Sequence, residues 1–255
     1  MGRTRYPTGA RPLLIEETAR RRRIESRFVA LLEASGFAEV VLPIIDFAEP
    51  YAGVTGRESA KQSYRFTDRE GELVAIRSDF TPMVARALAP ALRDSELPLR
   101  VFYRGDVIRC DATRLGANRE MFQIGAEIIG DASSDADVAM LRLAAAIASE
   151  FFENALVVYT DGGWQMADGR SADADSSPPS AIRHLPSLLE ADARFVYHEH
   201  DEAEDHSYYT GLRFWVYGDD RRKPIAQGGR YDSLYSRFGA DAAAIGFTFT
   251  IDDLD

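Results

Sequence analysis

The sequence predicts an α+β domain, a mainly antiparallel sheet flanked by helices. Two β-rich runs, Leu99 to Arg109 and Glu120 to Ile129, are joined by a short polar stretch and predict a long antiparallel pair. The segment Ser134 to Asn154 follows directly and is alanine-rich and helical in pattern. Three further β-rich runs then close the chain: Arg194 to His198, Gly211 to Tyr217 and Ala243 to Ile251. With 255 residues, of which 45% are hydrophobic, the chain can bury one substantial core, so residues 1–255 are read as a single domain without internal repeats.

The elements follow in order. From Leu13 to Ser35, apolar residues at Ile24, Phe28, Leu31 and Leu32 line one face of a helix, and Gly36 is placed to stop it. Phe37 to Ile45 reads as a strand whose Pro43 suits an edge or a subunit contact. Tyr64 to Phe66 and Leu73 to Ile76, separated by Asp68 to Gly71, read as a hairpin. Thr81-Pro82 opens a helix, with the threonine as cap and proline in the first turn, and Met83 to Leu92 continue it. In the helix after Ser134, Asp135 and Asp137 suit the positive end of the dipole. Residues 162–180 are nearly devoid of apolar side chains and read as a polar linker. Gly228-Gly229 reads as a turn before a short helix from Tyr231 to Arg237. The helices are expected on one side of the sheet.

Charge narrows the function classes. Asp and Glu number 41 against 30 Lys and Arg, a formal charge of -11, which opposes attraction to a phosphate backbone and argues against a nucleic-acid partner. Arg21-Arg22-Arg23 then reads as the wet face of the first helix. The single Cys110 cannot form an internal disulfide, and MGRTRYPTGARPLL lacks the apolar core of a signal peptide or membrane span. A reducing, cytoplasmic setting with no membrane partner is expected. Cys110 has no companion motif and reads as a bystander thiol.

Three polar clusters interrupt apolar strands, where an unpaired polar group is costly. In Arg77-Ser78-Asp79-Phe80-Thr81, an acid beside a helix start could accept a ligand amine, while Thr81 on its own reads as the cap. On the second long strand, Gln123, Gly125 and Glu127 share a face by period two, so the glycine leaves a floor with room above it, near Arg104-Gly105-Asp106. An exposed sheet face explains these residues equally well. The third cluster joins Tyr208 and Tyr209 to Tyr231, about twenty residues on. Tyrosines suit the wall of a pocket for a flat polar ligand, and they also occur as plain core residues. His198 and His200 share a strand face with His206 nearby, but no third ligand has diagnostic spacing, so no metal is expected.

The segments IRSDFTPMVARA, VFYRGDVIR, REMFQIGAEIIG, YYTGLRFWVYG and GGRYDSL, in that order, resemble the catalytic core of histidyl-tRNA synthetase, a class II aminoacyl-tRNA synthetase. The resemblance runs from about Leu13 to Asp255. It implies a class II synthetase-like antiparallel sheet with a histidine site lined by Asp79, Thr81, Gln123, Glu127, Tyr209 and Tyr231, with Tyr208 beside them. The departures bear on catalysis, because adenylate formation needs cations where phosphate charge develops. Where the family has arginines, this chain aligns Glu204 and Asp253; Arg104 is read as the one survivor, followed by the shorter acid Asp106. The family's anticodon-binding domain would follow Asp255, and its insertion is reduced to the polar linker.

RSDFTP and YYTG look like the regulatory subunits of ATP phosphoribosyltransferase, the first enzyme of histidine biosynthesis. That resemblance implies a chain without catalytic residues or cofactor that assembles with the short catalytic subunit, raises its activity and passes on inhibition by histidine as effector. It also implies self-association as a dimer, expected through Phe37 to Ile45. The alternative is an active ligase of the synthetase type that forms an aminoacyl adenylate.

Overall fold

The structure, a computed structural model, describes residues 6–54, 62–110, 118–160, 185, 189, 191–198, 208–220 and 222–254. Helix α1 (Ile15–Ala34) buries Phe28 and Leu32 completely, and the Glu17 carboxylate accepts the Leu14 backbone N–H at its start. Gly36, at φ 82°, ends the helix in the left-handed region that favours glycine.

The expected single strand Phe37 to Ile45 is instead two short pieces in two sheets. Strand β1 (Ala38–Glu39) runs parallel to β5 (Leu99–Ile108) at the edge of the large sheet, and β2 (Ile45–Phe47) belongs to a small one. Pro43, which has no N–H to extend a ladder, lies between them. The Arg77 guanidinium holds this break, donating to the carbonyls of Leu42 at 3.0 Å and Pro43 at 3.3 Å.

Strands β3 (Arg65–Thr67) and β4 (Leu73–Ile76) form the expected hairpin, with the Asp68 carboxylate accepting the N–H groups of Glu70 and Glu72 in the turn. Helix α2 (Thr81–Leu88) passes into a 3-10 segment, Ala89–Asp94. Strands β5 and β6 (Glu120–Ile129) pair antiparallel over their whole length, from Leu99 opposite Ile129 to Ile108 opposite Glu120. Helix α3 (Ser134–Ser149) is capped by the Ser133 hydroxyl, which accepts the Ala136 N–H.

Strand β7 (Leu156–Thr160), which lies beyond the expected helix and where no element is expected, pairs parallel with β8 (Phe195–Tyr197) and antiparallel with β9 (Arg213–Tyr217). Gly228 and Gly229 lie inside β10 (Ala226–Arg230), not in a turn. A Cβ on Gly228 would stand 2.4 Å from both the Gly246 carbonyl and the Phe214 ring, so glycine serves close packing there. The short helix expected from Tyr231 is a 3-10 turn, Tyr235–Phe238, and β11 (Ala244–Thr250) completes the sheet.

The large sheet has eight strands in the order β1-β5-β6-β11-β10-β9-β7-β8, beside a three-stranded sheet β2-β4-β3. Helices cover both faces of the large sheet rather than one. On one face α1 and α3 pack on Phe102, Ile124, Ala126 and Ile128. On the other, α2 sets Met83, Val84 and Ala85 against Val101, Tyr103, Tyr231 and Tyr235. The α2 segment is apolar enough to need its own burial surface. That second face carries the polar clusters.

Candidate functional site

Strand pairing places the three clusters together. On β6, Gln123, Gly125 and Glu127 stand opposite Gly105, Tyr103 and Val101 of β5, all directed to the α2 face. The floor expected above Gly125 is not open. A Cβ at Gly125 would lie 2.4 Å from the Tyr103 ring, whose hydroxyl bonds to Thr248 at 2.8 Å. The missing side chain accommodates a tyrosine from the next strand, and the cavity lies further along.

That cavity is lined by Asp79, Thr81, Gln123, Tyr208, Tyr209 and Tyr231, together with Arg109, Gln227 and Thr248. Asp79 sits between β4 and α2. Its carboxylate accepts the Thr81 N–H and the Tyr208 hydroxyl, each at 3.2 Å. Thr81 is therefore not the cap. The cap position is Phe80, and the Thr81 side chain is turned inward and buried. Burial pushes the Asp79 carboxyl up from the ordinary value, against the pull of Arg109 and its two donors.

Glu127 lies one layer deeper. It is 0% exposed, and neither oxygen has a hydrogen bond of regular geometry among the described residues. The Tyr231, Thr81 and Tyr103 hydroxyls are near enough to polarise the carboxyl, but burial dominates and pushes it up to about 8, with the negative Asp79 adding to the rise. The Tyr231 and Tyr235 hydroxyls are likewise buried without partners. Gly246 makes this layer possible. A Cβ there would stand 2.6 Å from the Tyr231 hydroxyl and 2.9 Å from Cγ of Glu127.

The tyrosines form a box. Ring centroids are 4.8 Å apart for Tyr208 and Tyr209, 5.9 Å for Tyr208 and Tyr231, and 6.4 Å for Tyr209 and Tyr231. Arg213 lies over the outer side of the Tyr209 ring at 4.6 Å. Burial raises the Tyr209 hydroxyl to about 12, so it stays protonated and can donate. Aromatic faces and carboxylates around one small volume suit a flat cation with N–H donors.

Arg104 is not part of this site. It points to the opposite sheet face, where it donates to Glu25 at 2.6 Å and to Glu39 at 2.7 Å. The arginine beside Asp79 is Arg109, whose Nε donates to the Ser78 carbonyl at 3.2 Å. The signal that finds it is the same period-two rule that groups Gln123 with Glu127: residues 103, 105, 107 and 109 share one face, and 104 and 106 share the other. Gln227 and Thr248 enter from the middle of strands and carry no sequence signal of their own. Glu204, His200 and His206, and residues 162–180, lie outside the described residues, as does the side chain of Asp253. Among the described residues no group of three or more His, Cys, Asp or Glu is placed to hold a metal, and no helix is long and apolar enough to cross a membrane.

A sequence model of histidyl-tRNA synthetase matches residues 9–159 and 168–254. The chain belongs to the histidyl-tRNA synthetase family. Within it, the ATP phosphoribosyltransferase regulatory subunit of Symbiobacterium thermophilum is 29% identical, over 99% of this chain and 79% of that one. The regulatory subunit of Geobacter sulfurreducens is 27% identical, over 96% and 71%. The histidine–tRNA ligase of Methanocaldococcus jannaschii is 28% identical, over 98% and 76%, so both branches of the family lie at similar distance. The fold agrees. A Bacillus halodurans structure described as an ATP phosphoribosyltransferase regulatory subunit/histidyl-tRNA synthetase superposes with a TM-score of 0.84 at 22% identity, covering 100% of this chain and 83% of the other.

Proposed function

We propose that this member of the histidyl-tRNA synthetase family is a noncatalytic regulatory subunit of ATP phosphoribosyltransferase in histidine biosynthesis. It activates a short catalytic subunit and carries the feedback signal of histidine. Two things support the reading: the regulatory-subunit relatives, and a pocket with two acids of which one, Glu127, is sealed without a partner. A buried acceptor with nothing to accept from is costly unless a ligand completes it.

Histidine is the effector that fits. Its α-ammonium meets Asp79 and Gln123 near the mouth, and its ring lies between the tyrosines and is directed at Glu127 once the Tyr231 or Thr81 side chain rotates aside. For feedback, histidine must bind one assembly state of the complex more tightly than another, since equal binding shifts nothing. A dimer through the segment from Phe37 to Ile45 is part of the proposal, supported by the exposed apolar residues Val41, Ile44 and Ile45.

The test is a reconstitution with a short catalytic subunit. The chain raises phosphoribosyltransferase activity, and histidine reverses the gain; no change on adding the chain contradicts the reading.

One observation favours the ligase alternative, namely that Arg109 stands at the pocket beside Asp79. Among the described residues Arg109 lines the pocket and Arg213 lies against Tyr209, and with Arg104 tied to two acids elsewhere and acids aligned at 204 and 253 this is poor provision for the charge of a triphosphate. The expected result is no histidine-dependent exchange of pyrophosphate into ATP. Measurable exchange supports the ligase instead.

A further inference from the structure

The two acids of the pocket differ in how they are supplied with donors. Asp79 receives a backbone N–H and a tyrosine hydroxyl and lies within the field of Arg109, all of which favour its charged form and oppose the burial that raises its carboxyl. Glu127 has neither. Among the described residues the groups that bear on it are neutral or negative: Thr81 and Asp79 from the β4–α2 junction, Tyr103 from β5, Tyr209 from the loop before β9, and Tyr231 and Tyr235 after β10. None of the described hydrogen bonds reaches either oxygen. A carboxylate sealed in such a place with no counter-charge takes up a proton instead.

We propose that Glu127 is neutral in the empty pocket and acts as the proton donor that selects the effector, giving its proton to a basic ring nitrogen as the ligand binds. This rests on the histidine reading above and adds the reason for its selectivity. In the step, the O–H bond of Glu127 breaks and an N–H bond forms on the ring, leaving carboxylate against imidazolium. The proton stays inside the complex, and no other reactant is needed.

The chemistry of the partner follows. A permanent cation at Glu127 would force the proton into solvent, weakening binding about tenfold for each pH unit below the carboxyl's own value. A ring of the same size without a basic nitrogen would leave the acid unrelieved. An imidazole, with its ordinary pKa of about 6.5, avoids both losses.

Calorimetric titration of histidine into the full chain, in paired buffers of different ionisation enthalpy, counts the protons. At pH 7.2 the expected exchange is close to zero. At pH 5.5, where the free ring already carries its proton, about one is released per histidine bound. Glu127→Gln loses that release, and what remains in the variant is the part owed to Asp79. Release of about one proton at pH 7.2 as well, or the same release in the variant at pH 5.5, overturns the donor role.

A second measurement needs no variant. Thienylalanine, whose ring matches imidazole in size but has no basic nitrogen, should bind wild-type protein at least about 30-fold more weakly than histidine, and equal affinity overturns the proposal. Histidine binding with the wrong proton count sinks only the donor role. No binding at either pH sinks the histidine reading and the donor role with it.

Discussion

The two faces of the β5–β6 pair carry the same residue types and resolve them in opposite ways. On the α1 face Glu25, Glu39 and Asp252 each have an arginine. Glu25, 4% exposed, is held by Arg22 and Arg104, Glu39 by Arg104, and Asp252 by Arg21 while also accepting the Phe122 N–H. On the α2 face, one residue away in the strand, Glu127 has no cation and no hydrogen bond of regular geometry among the described residues. An acid matched with guanidinium groups ties elements together, whereas an unmatched one adds no such tie. Alternation along a strand thus separates a structural charge network from a ligand site, and the placement of Arg104 on one face and Arg109 on the other follows that division.

If the contrast is real, the largest consequence is a pH dependence of stability from the unmatched face. Glu127 titrates near 8 folded and near 4.5 unfolded, so between those values the native state binds more protons than the unfolded one. Stability is greatest below pH 4.5 for this group, falls as pH rises to 8 and is level beyond. The loss owed to Glu127 is at most about 5 kcal/mol. Urea unfolding of wild type and Glu127→Gln across pH 5 to 8.5 checks it, and the difference between them should shrink to nothing toward the acid end.

Next in size is ligand affinity. Glu127→Gln should weaken histidine binding by about 100-fold, the scale of a charged hydrogen bond in a buried site, as read by calorimetry at pH 7.2. Arg104→Ala should do the reverse of this pattern. It leaves Glu25 with Arg22 alone and should cost about 1 to 2 kcal/mol of stability, a figure kept low because Arg104 is 35% exposed. Its histidine affinity should stay within about twofold of wild type. The smallest effect belongs to Tyr208→Phe, which removes one of the two donors to Asp79 and should weaken binding about fivefold with little change in stability.

Much of this was legible in the sequence, for identifiable reasons. The β5–β6 pair and α3 are long and strongly patterned, so their period shows through, and Asp79, Thr81, Gln123, Tyr208, Tyr209 and Tyr231 all come to one cavity. What local pattern could not show was burial by a neighbour. Tyr103 fills the space over Gly125, and the backbone of Gly228 touches that of Gly246, because strands distant in sequence lie side by side. Thr81 looked like a cap because Thr-Pro opens helices, yet Asp79 takes the free N–H and releases the hydroxyl to the interior. Phe37 to Ile45 looked like one strand because its residue types favour strands, while Pro43 divides it between two sheets. Arg104 was assigned to the pocket from its place in a motif. Counting strand residues by twos would have selected Arg109.

The central claim is that an acid left without a counter-charge on the α2 face holds histidine. Titrating histidine into wild type, Glu127→Gln and Arg104→Ala side by side addresses it most directly. The account predicts binding in wild type and Arg104→Ala and its collapse in Glu127→Gln. Undiminished binding in Glu127→Gln, or equal loss in both variants, would contradict it.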